Sequence, residues 1–360
     1  MLWFLISQPQ KVDSSEIKRK EAVAFVAGQS ALGCLAYSYL SSGAVGDLTG
    51  NGGAAACACM TTPLACMTAS ALYGMKVGVK PHGALASFTG GIDGVYWGYL
   101  LYSAMAVNTE SLPIGSSLFV LSSSLLLNAS WLAYSQMANA SEGSYVSKTL
   151  FSFQSAYYYY QLKRMIYGSY MRMDTTGEIL FDDFKTDMTV LPAVAIGSGM
   201  AGWFATRNLK NYTAGDALFL SANISKGSMV LSNLLRTAYM QTFWSSDKWS
   251  DPYERLKYYT TLYTGYYFDN PNLNRLGGAL QLAGAAVGGY LSYKIVQKKD
   301  ISLLGGLVYS MVPSLAYWAA WGPMALIGTG DPRIYGNFMP LIQIALDLGA
   351  SYLVYDLLVK

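Results

Sequence analysis

Among the ionisable residues inside long apolar stretches of this sequence, three are candidates for chemistry: Asp93, Lys226 and Asp347. A charged side chain at the centre of a bilayer costs about 2.5–3.5 kcal/mol on insertion scales, so such residues usually face a bundle interior or a water-filled path. They are therefore candidates for an ion or solute pathway. The alternative is that each lies near a helix end, pairs within the protein or contacts another subunit. Because no apolar stretch carries two acids placed to relay protons, the sequence favours this alternative.

Patterns that support catalysis or metal binding are missing from the sequence. His82 is the only histidine; it follows Pro81 in a predicted turn, and there is no GxSxG motif with which it could form a hydrolytic triad. The four cysteines form no CxxC pair and have no histidine nearby, so no zinc site is indicated. No phosphate-binding loop occurs. We therefore expect neither an enzymatic activity nor a cofactor.

The composition is that of a chain with little water-facing surface. Hydrophobic residues make up 52% and charged residues 12%, whereas globular proteins carry about 25% charged residues. Lipid or neighbouring subunits are thus expected around much of the chain. A net charge of +3 does not indicate a nucleic-acid partner.

Nine apolar segments have the roughly 17–25 residues that crossing a bilayer requires. Strict alternation is absent and small residues recur every three or four positions, which favours helices over strands. The fold class is therefore all-α, a polytopic bundle of about nine helices arranged as hairpins. The predicted spans are 22–42, 53–74, 84–107, 116–138, 189–206, 217–244, 276–296, 303–326 and 337–359.

Small residues at a spacing of four mark faces on which helix backbones can approach closely in lipid, where van der Waals contact replaces the hydrophobic drive. A single GxxxG pair carries little weight, but several in one chain indicate a common way of packing. The predicted packing residues are Gly90, Gly94, Gly98, Gly197, Ala201, Gly284 and Gly288.

Two tyrosine-rich segments, Gly143–Tyr170 and Ser250–Phe268, are too polar to span a membrane. Tyrosine combined with lysine and arginine suits a helix that lies at a membrane interface. Alternatively, each is a water-exposed connecting helix or is buried against a partner subunit.

The turns between the predicted helices divide the chain into regions. Thr213 and Asp216 form a capping-box pattern that predicts a helix start near Ala214, and Asp300 or Ser302 is the predicted N-cap of a later helix. We expect a four-helix region at 1–140, a connecting segment at 141–188 and a helical-hairpin repeat region at 189–360.

Short motifs in the last 170 residues support a family resemblance. They are Asp331 to Gly336, Gly288 to Tyr290, and Thr213 to Ala217. Helical hairpins with these pieces resemble those of uncharacterised glycine-rich bacterial envelope proteins. The resemblance implies a location in the bacterial cell envelope and no known activity.

These observations favour a structural or accessory subunit of a membrane-bound assembly, with the lipid bilayer and other subunits or a second copy as partners. The rival interpretation is a channel or secondary transporter, which helices broken at Pro192, Pro313 or Pro323 would support. A soluble helical repeat protein is the third possibility, because every predicted span contains polar residues.

Overall fold

The computed structural model describes residues 14–109, 112, 115–138, 140–173, 178–243, 249–267, 270–327 and 332–358, and helices make up most of them. The first half contains α1 (Ser14–Leu32), a π-helical turn (Gly33–Tyr37), α2 (Ser38–Thr49), α3 (Gly52–Lys76), α4 (Gly83–Ala106), α5 (Ser116–Met137) and α6 (Glu142–Tyr167). The second half contains α7 (Phe184–Thr206), α8 (Ala214–Met240), a 3-10 turn (Gln241–Phe243), α9 (Pro252–Thr264), α10 (Pro271–Val296), α11 (Leu303–Ile327) and α12 (Pro332–Leu358).

The chain divides into two compact units. The first unit comprises residues 1–155 and 185–214, and the second comprises 156–184 and 215–360. The boundaries fall within α6 and beside Phe184 and Ala214, whereas the sequence favoured boundaries at 140 and 188.

Local capping explains where several helices begin. Asn51 accepts hydrogen bonds from the backbone N–H groups of Gly53 and Ala54, and Asn270 accepts one from Leu273. Such bonds satisfy donors that a helix leaves without partners in its first turn. The predicted start of α8 at Ala214 is confirmed. Of the two predicted caps for α11, Ser302 accepts from the Gly305 N–H at 3.1 Å.

In the first unit, α4 packs closely along α5. A methyl group added at Gly94 would overlap the backbone of Ser124, and one added at Gly90 would lie 2.8 Å from the carbonyl oxygen of Leu127. Aromatic side chains fill the adjoining core, where Trp131 contacts Tyr145 and Trp203 edge-on.

In the second unit, α8 and α10 approach with almost no side chain between them. A methyl group at Gly284 would overlap the carbonyl of Gly227, and one at Gly288 would overlap the carbonyl of Asn223. A separate cluster around α9 places Tyr258 and Met240 beside Trp249.

Six helical segments among the described residues are long and apolar enough to cross a membrane, which fits a multi-pass membrane protein. They are Arg19–Thr49, Gly52–Lys76, Ser116–Met137, Phe184–Thr206, Leu303–Ala320 and Asn337–Leu358. Helices α4, α8 and α10 have sufficient length but are less apolar, because polar, glycine and aromatic residues interrupt them. That they span as well stays a prediction; the predicted ends at Trp244 and Val359 lie outside the described residues.

Two expectations require correction. The all-α expectation omitted an antiparallel pair of strands, β1 (Met171–Met173) and β2 (Ile179–Phe181). Among the described residues, these two short strands pair only with each other. Helix α6 was expected at a membrane interface, yet Lys148 and Arg164 are buried. The reason is that their charges find partners inside the protein, so they do not need to extend into water.

Candidate functional site

The first unit contains a buried ion pair that links α4 to α6. Lys148 Nζ lies 2.6 Å from a carboxylate oxygen of Asp93, and neither side chain is exposed. The ammonium group also lies 3.8 Å from the centre of the Trp131 ring on α5, at a distance typical of a cation–π contact. Each buried charge thus has an opposite charge beside it, which offsets part of the cost of its burial.

Helix α7 encloses this ion pair from a further side. Trp97 donates through Nε1 to Ser152 Oγ at 3.1 Å, and Ser152 donates to the Ala195 carbonyl at 3.0 Å. A methyl group at Gly199 would lie 2.9 Å from the Lys148 carbonyl. Close helix packing thus excludes solvent from the Asp93–Lys148 pair.

The second unit contains a comparable pair with a looser geometry. Lys226 Nζ lies 3.9 Å from Asp347 Oδ1, and the Ser351 hydroxyl bridges them by accepting from Lys226 and donating to Asp347. Lys226 Nζ also lies 3.4 Å from the centre of the Tyr309 ring. The other carboxylate oxygen of Asp347 has no hydrogen-bond partner among the described residues.

A neutral hydrogen-bond network, which we call the Asn128 network, occupies the core between α1, α4 and α5. The Asn128 amide donates to Gln29 Oε1 at 2.8 Å and to Tyr37 OH at 3.0 Å. Ser124 donates to Tyr37 OH at 3.1 Å, and Gln29 donates to Ser87 Oγ at 3.0 Å. These side chains satisfy one another, so the network can be buried at little cost.

Arg164 connects α6 to the loop between α9 and α10 in the second unit. It donates through Nη2 to the Gly265 carbonyl at 2.7 Å and through Nε to Asn274 Oδ1 at 3.1 Å. The guanidinium also lies 5.5 Å from the Tyr266 ring centre and 5.1 Å from that of Tyr267. A planar group with several fixed donors can make these contacts together, which a lysine cannot.

Tyrosines near Arg164 are neutral at physiological pH. Burial raises the pKa of Tyr170 to about 12 and that of Tyr267 to about 12, although the Arg164 charge acts to lower both. Tyr267 is therefore a ring partner of Arg164 and not its counter-ion.

The structure places the predicted packing residues differently from helix to helix. Gly90, Gly94 and Gly98 lie against α5, whereas Gly284 and Gly288 lie against α8. Gly197 has no heavy atom within 4 Å of an added methyl group, and Ala201 is exposed, so neither packs against another helix among the described residues. Gly199 and Gly202 make the close contacts of α7 instead, because they lie on the face of that helix turned towards α6.

The sequence patterns did not identify Lys148, Arg164 and Asn128 as buried partners. A signal for Lys148 was present, because Ser144, Ser147, Ser152 and Ser155 recur every three to five residues and form a polar stripe along α6. All four are buried. A polar stripe inside an apolar chain predicts an inward-facing helix surface.

Helix α3 leaves most of its surface uncovered. Only 6% of its most apolar stretch is buried within the chain. The exposed residues combine methionine and leucine with small and hydroxyl side chains: Ala56, Cys57, Met60, Thr61, Leu64, Ala65, Met67, Thr68, Ala69, Leu72 and Met75. We call these residues the α3 face.

Comparison of the chain with known protein families, with curated proteins and with solved structures found no match.

Proposed function

We propose that this protein is a non-catalytic, structural or accessory subunit of a membrane-bound multiprotein assembly. The exposed α3 face carries the proposal. Small side chains allow helix backbones to approach closely in lipid, and methionine adapts to an irregular partner surface. A span that buries so little within its own chain, with these residues exposed, fits a helix of another subunit or of a second copy.

Two further features support this function over a channel or secondary transporter. Helices α7 and α11 continue through Pro192, Pro313 and Pro323, whereas a transporter site is typically formed by broken helices. In addition, Asp93 and Asp347 each have a lysine partner within their own unit. Charges neutralised in this way contribute to packing and offer little to a passing ion.

The proposed location is the bacterial cell envelope. The six apolar helical segments support a membrane location. The resemblance of the last 170 residues to glycine-rich envelope proteins supports the finer assignment; the motif that starts at Asp331 begins outside the described residues.

Photo-crosslinking from two matched leucines tests the proposal. Leu64 on the α3 face is 62% exposed, and Leu126 on α5 is 68% exposed. A photoreactive amino acid at position 64 should join the chain to one discrete protein in native membranes, while position 126 should label lipid. Equal labelling of lipid at both positions would count against a subunit contact at α3.

A flux measurement tests the rival function. The wild type and Asp347→Asn are reconstituted into vesicles, and ion flux and assembly are measured on the same samples. A subunit without transport activity gives no flux above empty vesicles in either case. Flux in the wild type that disappears in a variant that still assembles would replace the proposal with a transporter.

A further inference from the structure

An apolar pocket in the first unit lies between α1–α2, α4, α5 and Phe153 in the middle of α6. Its volume is about 620 Å³, within the range of sites for small apolar ligands. Its lining is aliphatic and aromatic except for Ser116 and Ser117, and Asp93 does not contribute to it. The nearby Asn128 network uses its polar groups internally, so the pocket presents an apolar wall.

The π-helical turn shapes this pocket. Leu35 and Ala36 of the turn line the pocket, while Tyr37 points into the core and joins the Asn128 network. On the other side, a methyl group at Gly33 would lie 3.1 Å from Pro63 Cα of α3. A π-helical turn contains one residue more than an α-helical turn, and the contacts on both sides stabilise this wider turn here. Such turns occur frequently at functional sites.

The pocket is long in the direction of the helices. Its lining runs from Ala31 to Leu40 and from Phe88 to Tyr99, which corresponds to about 13 Å and about 16 Å at the helical rise of about 1.5 Å per residue. The hydrocarbon core of a bilayer is about 30 Å thick, so one leaflet is about 15 Å deep. The pocket therefore has the length of one acyl chain.

One end of the pocket is polar and the other is apolar. At the apolar end, Phe88 packs against α1 beside Gly28, where an added methyl group would lie 3.5 Å from the Phe88 ring. At the polar end, Ser116 and Ser117 begin α5, whose first backbone N–H groups have no side-chain cap at Gly115. Such donors suit the ester and phosphate oxygens of a lipid.

The charge at the polar end indicates which headgroup fits. A methyl group at Gly115 would lie 2.5 Å from a carboxylate oxygen of Asp47, so this acid stands beside the start of α5. It attracts a cationic headgroup and repels a net anionic one. The exposed rings of Tyr39 and Tyr99 line the same pocket and suit a membrane interface.

From these features we infer that the pocket binds one acyl chain of a zwitterionic phospholipid, with the headgroup beside Asp47, Ser116 and Ser117. This site does not depend on the proposed assembly function. It is a specific lipid site, distinct from the general lipid contact of exposed residues such as Leu353.

Photolabelling of the full chain in vesicles tests the inference. The probes are phosphatidylcholine and phosphatidylglycerol with the same diazirine-bearing acyl chain, each present as a minor component in unlabelled phosphatidylcholine. Labelled residues are mapped by mass spectrometry. Phosphatidylcholine should label pocket residues such as Phe88, Ile92 and Val95 preferentially, and phosphatidylglycerol should label them less. In the wild type, labelling confined to outward-facing residues would by itself overturn the inference.

Variants separate the pocket from its surroundings. Val95→Phe removes room for about two methylene groups and should lower pocket labelling about tenfold, at about 0.8 kcal/mol per methylene. Ala36→Phe adds a larger volume and should lower labelling at least as much. Ala65→Phe, on the α3 face, should leave it unchanged. Asp47→Asn should abolish the headgroup preference while the acyl chain still labels. Full pocket labelling in a folded Ala36→Phe or Val95→Phe protein, or a preference that survives Asp47→Asn, would contradict the assignment.

Discussion

The ammonium nitrogen of Lys148 lies 2.6 Å from a carboxylate oxygen of Asp93, and both side chains are inaccessible to solvent. These residues come from α4 and α6, two helices that the sequence did not connect. Because a buried charge without a partner is much more costly than a buried pair, this contact makes the packing of α4 against α6 specific.

We predict that Lys148→Met destabilises the protein by about 3–5 kcal/mol, because it leaves Asp93 charged and unpaired in the core. Asp93→Asn combined with Lys148→Met should cost about 2 kcal/mol less than the sum of the two single changes. The measurement is the free energy of unfolding in mixed micelles. Lys257→Met, in the partly exposed pair with Glu254, is the control and should cost less than about 1 kcal/mol. Additive single changes would exclude an energetic coupling between Asp93 and Lys148.

Gly94→Ala and Gly197→Ala should have opposite effects, although both place alanine within a helix. At position 94 the new methyl group overlaps the Ser124 backbone, so α4 and α5 must separate and stability should fall by about 1–3 kcal/mol. At position 197 the methyl group meets open space, and the higher helix propensity of alanine should raise stability by up to about 1 kcal/mol. The measurement is the thermal stability of both variants in detergent. An unchanged stability of Gly94→Ala would mean that the close approach of α4 and α5 is not required.

Tyr37→Phe should destabilise the first unit by about 1–3 kcal/mol, because it removes the buried phenol oxygen that accepts a hydrogen bond from the Asn128 amide. Tyr39→Phe is the matched control two residues later. Its side chain is 78% exposed, so the change should stay within about 0.5 kcal/mol. The comparison is made by thermal unfolding; similar losses for both tyrosines would show that the phenol of Tyr37 is not special.

Arg164→Lys should loosen the loop after α9 even though the charge is kept. Lysine cannot donate to the Gly265 carbonyl and to Asn274 with the same planar geometry, and the loss should be about 1.5–3 kcal/mol. Hydrogen exchange at Gly265 to Tyr267 is the measurement, and exchange there should accelerate. Lys294→Gln, at an exposed position of α10, is the control. Unchanged exchange in Arg164→Lys would mean that other contacts hold the loop.

The helices could be predicted well from local chemistry, and the buried partners could not. Ala214 starts α8 and Ser302 caps α11, because capping depends on residues within one turn. Spacing alone treated Gly94 and Gly197 as equivalent, yet one meets a backbone and the other meets open space. A repeat of four residues specifies a face of a helix but not the neighbour opposite that face.

The sequence by itself determined that the chain is helical, poor in charge and apolar enough to enter a membrane, because these properties depend on composition and short-range periodicity. Only the tertiary structure decided that Lys148 partners Asp93 and that Lys226 partners Asp347 through Ser351. It also decided that the π-helical turn faces an apolar pocket. Such contacts join residues far apart in the chain, and the energy that selects them comes from burying charge and matching surfaces, which no local pattern records.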